Sequence, residues 1–212
     1  MAVKMLSERC EATSVDAAKH DLPMLDKMYK EYAEGEAPEN LERIARIFRE
    51  SDEFVVLSGE YNHGMPPGLK NLLDHFQREY FFKPAGILTY SVGSFGGVRA
   101  VVHVRAVLGE LGKATVSNML PVPKVSSAID EDGTPADDKM PKRFTRIADE
   151  LLCYAAAYKP AREKGTPSDL MPIRPFISCP AFSSSLGPPL PRSVVPFEKC
   201  RRDSADGGNP AR

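Results

Sequence analysis

No stretch of this chain approaches the roughly 20 consecutive apolar residues of a membrane-spanning helix, so an integral membrane protein is not expected. Charge of one sign is lacking too. The 28 lysines and arginines nearly cancel the 29 aspartates and glutamates, leaving a net charge of -1. There is thus no electrostatic reason to expect nucleic acid or an anionic membrane as a partner. Cysteine is sparse: Cys10, Cys153, Cys179 and Cys200 lie far apart, with no CxxC pair. That spacing argues against a zinc site or a redox couple and fits reduced thiols. His20 and His103 stand at no metal-ligand spacing, so no metal site is expected. The opening residues MAVKMLSERC lack the apolar core of a secretory leader, and a soluble, cytoplasmic protein is the expectation.

What is present reads as one domain with an appendage. The chain has 212 residues and is 42% hydrophobic, enough for a sizeable core. Its 19 prolines are unevenly placed and recur from Pro160 onward, where no hydrophobic period survives. Residues 1–159 are therefore expected to form the folded domain, and 160–212 a proline-rich, mostly disordered tail. An alternative for the tail is a recognition segment, since Pro188-Pro189-Leu190-Pro191 can adopt polyproline II.

The stretch from Phe54 to Phe76 organises the domain. Phe54-Val55-Val56-Leu57 is a short apolar run, as expected of a strand buried on both faces. Ser58 to Met65 is a polar turn with two glycines. Pro66-Pro67 opens a helix, because the first turn has no use for a backbone N–H. Leu69, Leu72, Leu73 and Phe76 then share one face, which suits either the core or a dimer interface. A second unit repeats the design: a strand at Gly86–Tyr90, a glycine-rich loop at Ser91–Gly97, and a helix marked by Val98, Val101, Val102, Arg105, Leu108 and Leu111.

Around these units the pattern predicts weak strand material at Ala12–Ala17 and a helix over Glu39–Arg49. It further predicts a strand at Ala114–Leu120, a polar loop at Ser126–Asp138 and a last helix over Lys139–Tyr158. In an open α/β sheet, ligands sit outside the carboxyl ends of the strands. Both glycine-containing turns belong there, each before a helix N-terminus whose unpaired N–H groups favour negative charge. The competing reading is two ordinary connections with turn glycines. His63 is a possible ligand contact, and His75 is expected at a surface or interface.

At these two turns the chain resembles the NADPH-dependent FMN reductase family. The likeness lies in Glu60-Tyr61-Asn62-His63-Gly64-Met65-Pro66 followed by Gly68-Leu69-Lys70-Asn71-Leu72-Leu73-Asp74, and in Ser91-Val92-Gly93-Ser94-Phe95-Gly96-Gly97-Val98-Arg99-Ala100. The acidic turn Asp130-Glu131-Asp132-Gly133 also resembles that of the family, and Gly59 departs from the family's usual proline. The resemblance implies a flavodoxin-like three-layer α/β/α fold with a parallel sheet, dimeric or tetrameric. It implies FMN as cofactor, NAD(P)H as co-substrate, and a quinone, flavin or similar small molecule as electron acceptor. It further implies a cofactor site of Glu60, Tyr61, Asn62, His63, Ser91, Gly93, Ser94, Phe95, Gly96 and Gly97. No catalytic side chain is required, because the flavin carries the redox chemistry.

The family's first strand and its phosphate loop have no counterpart here, since Met1 falls in or just before the first helix. The fold is thus expected to be N-terminally incomplete. A missing internal strand would leave a neighbour's backbone groups unpaired, at about 1–3 kcal/mol each if buried. The sequence leaves two functions open: an FMN-dependent oxidoreductase, or a flavodoxin-like binding protein without cofactor.

Overall fold

The computed structural model of the protein describes residues 1–166, and the expectations for the proline-rich tail from 167 onward lie outside them. Nine regular elements follow in chain order: α1 (Ala2–Ser7), α2 (Glu39–Glu50), β1 (Phe54–Gly59), α3 (Pro67–Asp74), β2 (Ala85–Tyr90), α4 (Val98–Glu110), β3 (Thr115–Val122), α5 (Val125–Ala128) and α6 (Lys139–Glu163). The three strands form one parallel sheet in the order β1-β2-β3. Helices cover both faces, giving three layers.

The period of two along β2 builds both faces. Ala85 and Ile87 join Val56 of β1 and Val101, Val104 and Leu108 of α4 in one apolar cluster. Leu88 points the other way, toward Phe144, Ile147 and Leu151 of α6. Gly86 lies on that second face, where an added Cβ would come within 3.1 Å of Ile147, so its missing side chain lets α6 close on the sheet. A third cluster gathers Leu41, Ile44 and Phe48 of α2 with Leu72, Leu73, Phe76 and Tyr80. Phe76 is fully buried there, so the apolar face of α3 belongs to the core and not to an interface.

The two sheet edges are finished differently. Along β3, the five residues from Thr115 to Met119 oppose only three of β2, Ala85 to Ile87. The displaced backbone is held from both sides: Glu150 of α6 accepts from the N–H groups of Ser117 and Asn118, and Arg105 of α4 donates to the carbonyls of Val116 and Ser117. At the other edge, Phe54 N–H bonds Pro84 O, so the polar groups of Val55 and Leu57 face away from β2. Those of Val55 and Leu57 find no partner among the described residues, and Leu57 is 56% exposed.

Four sequence expectations need correction. Ala12–Ala17 forms no strand. Cys10 and Ala12 pack on the α6 side of the sheet while Val15 and Ala17 pack with α2 and α3, so the segment crosses between layers and joins no ladder. His75 is buried, its Nδ1–H donating to Asn71 O at 2.7 Å. The Asn71 side chain meanwhile fastens Pro23 and Leu25 to α3. The loop expected at Ser126–Asp138 opens inside the short helix α5. The last helix continues through Pro160 to Glu163, because Lys159 and Arg162 both reach Asp52 and Arg162 also donates to Phe82 O.

Candidate active site

The turns after β1 and β2 lie side by side at the carboxyl end of the sheet. Tyr61 and Gly64 exchange two backbone hydrogen bonds of 2.9 Å, which makes Tyr61-Asn62-His63-Gly64 a tight turn. Asn62 and His63 at its centre have φ of 47° and 67°, as a mirror-image hairpin turn requires. Asparagine tolerates that region, so Asn62 has a conformational reason to be present beside any contact it makes. The turn projects outward: Tyr61 is 65% exposed, and Asn62 and His63 are exposed.

The second turn is built from inside. Thr89, fully buried in β2, donates its hydroxyl to Gly96 O at 2.8 Å. Gly96 and Gly97 have φ of 64° and 82°. A Cβ on Gly96 would lie 2.9 Å from the backbone nitrogens of Val122 and Pro123, and one on Gly97 would lie 2.9 Å from Thr89 Cβ. These two glycines are therefore required by the protein's own backbone. Gly93 is different: the nearest atom to an added Cβ is Ser91 Oγ at 4.0 Å. Ser91 Oγ donates to Gly93 O, while Ser94 and Phe95 stand outside, the latter 63% exposed.

A third segment joins them, one that sequence patterning did not single out. Lys124 N–H donates to Gly93 O and Val125 N–H to Ser91 O, so the connection from β3 to α5 backs the second turn. Lys124 is exposed there with a φ of 47°. Tyr90 and His103 were missed as well. An added Cβ on Gly59 would touch the Tyr90 ring at 3.3 Å, and one on Gly64 would lie 3.3 Å from His103 Nδ1.

Glu60 links the first two turns directly. One carboxylate oxygen accepts from the N–H groups of Arg99 (3.0 Å) and Ala100 (3.3 Å), and the other lies 3.7 Å from the Arg99 guanidinium. The Glu60 carboxylate thus points into the start of α4. Of the ten predicted site residues, Tyr61, Asn62, His63, Gly93, Ser94 and Phe95 face solvent, Ser91 is half-buried, and Glu60, Gly96 and Gly97 serve the loops internally.

A profile of the family described as NADPH-dependent FMN reductase matches residues 1–131. The chain belongs to the NADPH-dependent FMN reductase family. A quinone reductase of Escherichia coli strain K12 is 35% identical over 92 residues, 42% of this chain and 48% of the relative. An NAD(P)H-dependent FMN reductase of Pseudomonas aeruginosa is 34% identical over 107 residues, 48% of this chain and 58% of the relative. The chain spans about half the length of these curated relatives. Among solved structures, the flavoenzyme NAD(P)H:(acceptor) oxidoreductase FerB from Paracoccus denitrificans is similar in fold. Its TM-score is 0.59 at 23% identity, covering 74% of this chain and 86% of that one. The fold of this FMN reductase family chain is flavodoxin-like.

Among the described residues, the lysines with lowered pKa lie at the other end of the sheet. Burial, then the charge of Arg162, lowers Lys83 to about 8. Burial, then the charges of Lys83 and Arg162, holds Lys113 well below the usual lysine value. Both precede the first residue of a strand, so a perturbed pKa here marks packing and not the loop site.

Exposed aromatic rings at Tyr61 and Phe95, and open backbone at Gly93, suit a flat ring such as that of FMN. For the phosphate the arrangement is unfavourable, because the first amides of α4 are already satisfied by Glu60. The described turns fit the ring and offer the dianion no such cradle.

Proposed function

We propose that this chain is the flavin-holding part of an FMN-dependent NAD(P)H oxidoreductase that reduces a quinone, a flavin or a similar small molecule. Family membership sets the class, and one structural observation carries the reading: the turns after β1 and β2 are bound to each other at a single sheet end through Glu60. FMN, if bound, would supply the redox chemistry between NAD(P)H and the acceptor. The chain's own work is positional. Tyr61 and Phe95 provide aromatic surface, Gly93 leaves main chain open, and Thr89 with Gly96 and Gly97 holds the second turn rigid. Asn62 and His63 offer polar groups at the rim, and Lys124 a nearby positive charge. We assign no acid or base.

On the same reading the protein is cytoplasmic and works as a homodimer or homotetramer. The outward side of α4 supports association: Val98 is 37% exposed and Val102 is 68% exposed, next to Phe95. No helix among the described residues is long and apolar enough to cross a membrane.

The test is colour and turnover. Purified chain given FMN is expected to retain visible flavin absorbance after gel filtration and to oxidise NADPH in the presence of a benzoquinone. The second reading, a flavodoxin-like binding protein without cofactor, is favoured by the occupied start of α4. A chain that stays colourless and inactive with excess FMN supports that reading and overturns the first.

A further inference from the structure

Helix α4 begins after Gly97, which has no side chain to cap it. Its first amides nevertheless have a partner, supplied by a residue 39 and 40 positions earlier in the chain. The Glu60 side chain is only 10% exposed, and both of its oxygens are engaged on the same helix end. A carboxylate there is favoured twice, by satisfying the otherwise unpaired N–H of Arg99, since Ala100 N–H also donates to Gly97 O at 3.1 Å, and by the positive end of the helix dipole. The contact continues outward. The Arg99 guanidinium, beside Glu60, lies 4.7 Å from the centroid of the Phe95 ring, so the ring's place on the surface depends on the same ion pair.

We infer that Glu60 is a positioning residue, a brace that fixes the separation of the two strand-end turns and sets the Phe95 ring through Arg99. It is not a group that faces the ligand, although its place in the Glu60-Tyr61-Asn62 run suggests one. The inference rests on the flavin reading only for its effect on binding. The brace itself is a property of the free protein. A simple helix cap would protect the two amides but would leave Phe95 and FMN affinity unchanged, and that difference makes the roles separable.

The experiment compares wild type, Glu60→Gln and Glu60→Ala by amide exchange and aromatic NMR without FMN, then by FMN titration. Glu60→Gln keeps a neutral acceptor and serves if the alanine variant does not fold. In Glu60→Ala, exchange at Arg99 is expected to rise at least tenfold, the Phe95 ring resonances to move toward free-phenylalanine values, and FMN to bind at least tenfold more weakly. Glu60→Gln should fall between the two on exchange and shift Phe95, having lost its charge against Arg99. Unchanged exchange at Arg99 overturns the brace. Faster exchange with an unmoved Phe95 ring or unchanged FMN affinity also overturns it, reducing Glu60 to a cap. If wild type binds no FMN, the flavin reading fails, and the exchange rates and Phe95 resonances alone decide for or against the brace.

Discussion

The Thr89 hydroxyl, sealed inside the sheet, donates to the carbonyl of Gly96 at 2.8 Å and so fastens the second turn to the strand that precedes it. Valine has the same shape without the donor. Thr89→Val leaves the buried Gly96 carbonyl without this partner, at a cost of about 1–3 kcal/mol. The expected result is a lower thermal midpoint together with weaker FMN binding. Chemical denaturation with a flavin titration on the same variant checks it.

Two glycines of the second turn, Gly93 and Gly97, should respond differently to a methyl group, because an added Cβ meets different neighbours at each. Gly97→Ala places a Cβ 2.9 Å from Thr89 Cβ and 3.0 Å from Tyr90 O at a φ of 82°. About 1–3 kcal/mol of strain is expected, seen in a melt recorded without any flavin. Gly93→Ala meets nothing closer than 4.0 Å and should leave the melt unchanged. A loss of FMN affinity in Gly93→Ala alone would identify Gly93 as the position where main chain meets the ring.

Lys113 holds its amine 3.2 Å from the centroid of the Phe54 ring, buried and without a hydrogen-bond partner. Lys113→Met keeps the length of the side chain and removes the orphan group, so a gain of about 1–3 kcal/mol is expected. The folded protein binds a proton here more weakly than the unfolded chain does. That cost is present in full below the folded pKa and fades as pH rises toward the ordinary lysine value of 10.5. The advantage of the variant should therefore shrink on the alkaline side. Melts of both proteins between neutral and alkaline pH read the difference.

Glu150 supports the irregular edge of β3. Partial burial works to raise its pKa, but hydrogen bonds from the side chains and backbones of Asn118 and Ser117 outweigh it and bring the carboxyl to about 2. A depressed acid contributes stability above its unfolded pKa, and that contribution is lost as pH falls through the folded value. The window here runs from about 4.5 down to about 2. Glu150→Gln should be less stable than wild type at neutral pH and should converge on it across this window. Denaturation midpoints at several acidic pH values test the convergence.

Much of this architecture was legible because periodicity is local. Leu41, Ile44, Ala45 and Phe48 are spaced to share one helix face, and all four are buried. Phe54 to Leu57 and Gly86 to Tyr90 are short apolar runs before glycine turns, and both became paired strands. What escaped depended on distant partners. Pro160 reads as a helix stop, yet α6 continues past it because Asp52, more than a hundred residues earlier, anchors Lys159 and Arg162. Ala12–Ala17 has strand-like composition, but strand formation needs a neighbour to bond with, and none runs beside it.

The sequence by itself determined the class of fold and the identity of the two turns, since strand, glycine turn and helix are specified by residues within one turn or one strand of each other. Only the tertiary structure decided what each turn residue does. Glu60 reads as a ligand contact in the chain and becomes a brace in space, because parallel pairing of β1 with β2 carries its carboxylate to the start of a helix some forty residues away. Gly97 reads as room for a ligand and becomes room for Thr89 and Tyr90, because the second turn folds back onto its own strand.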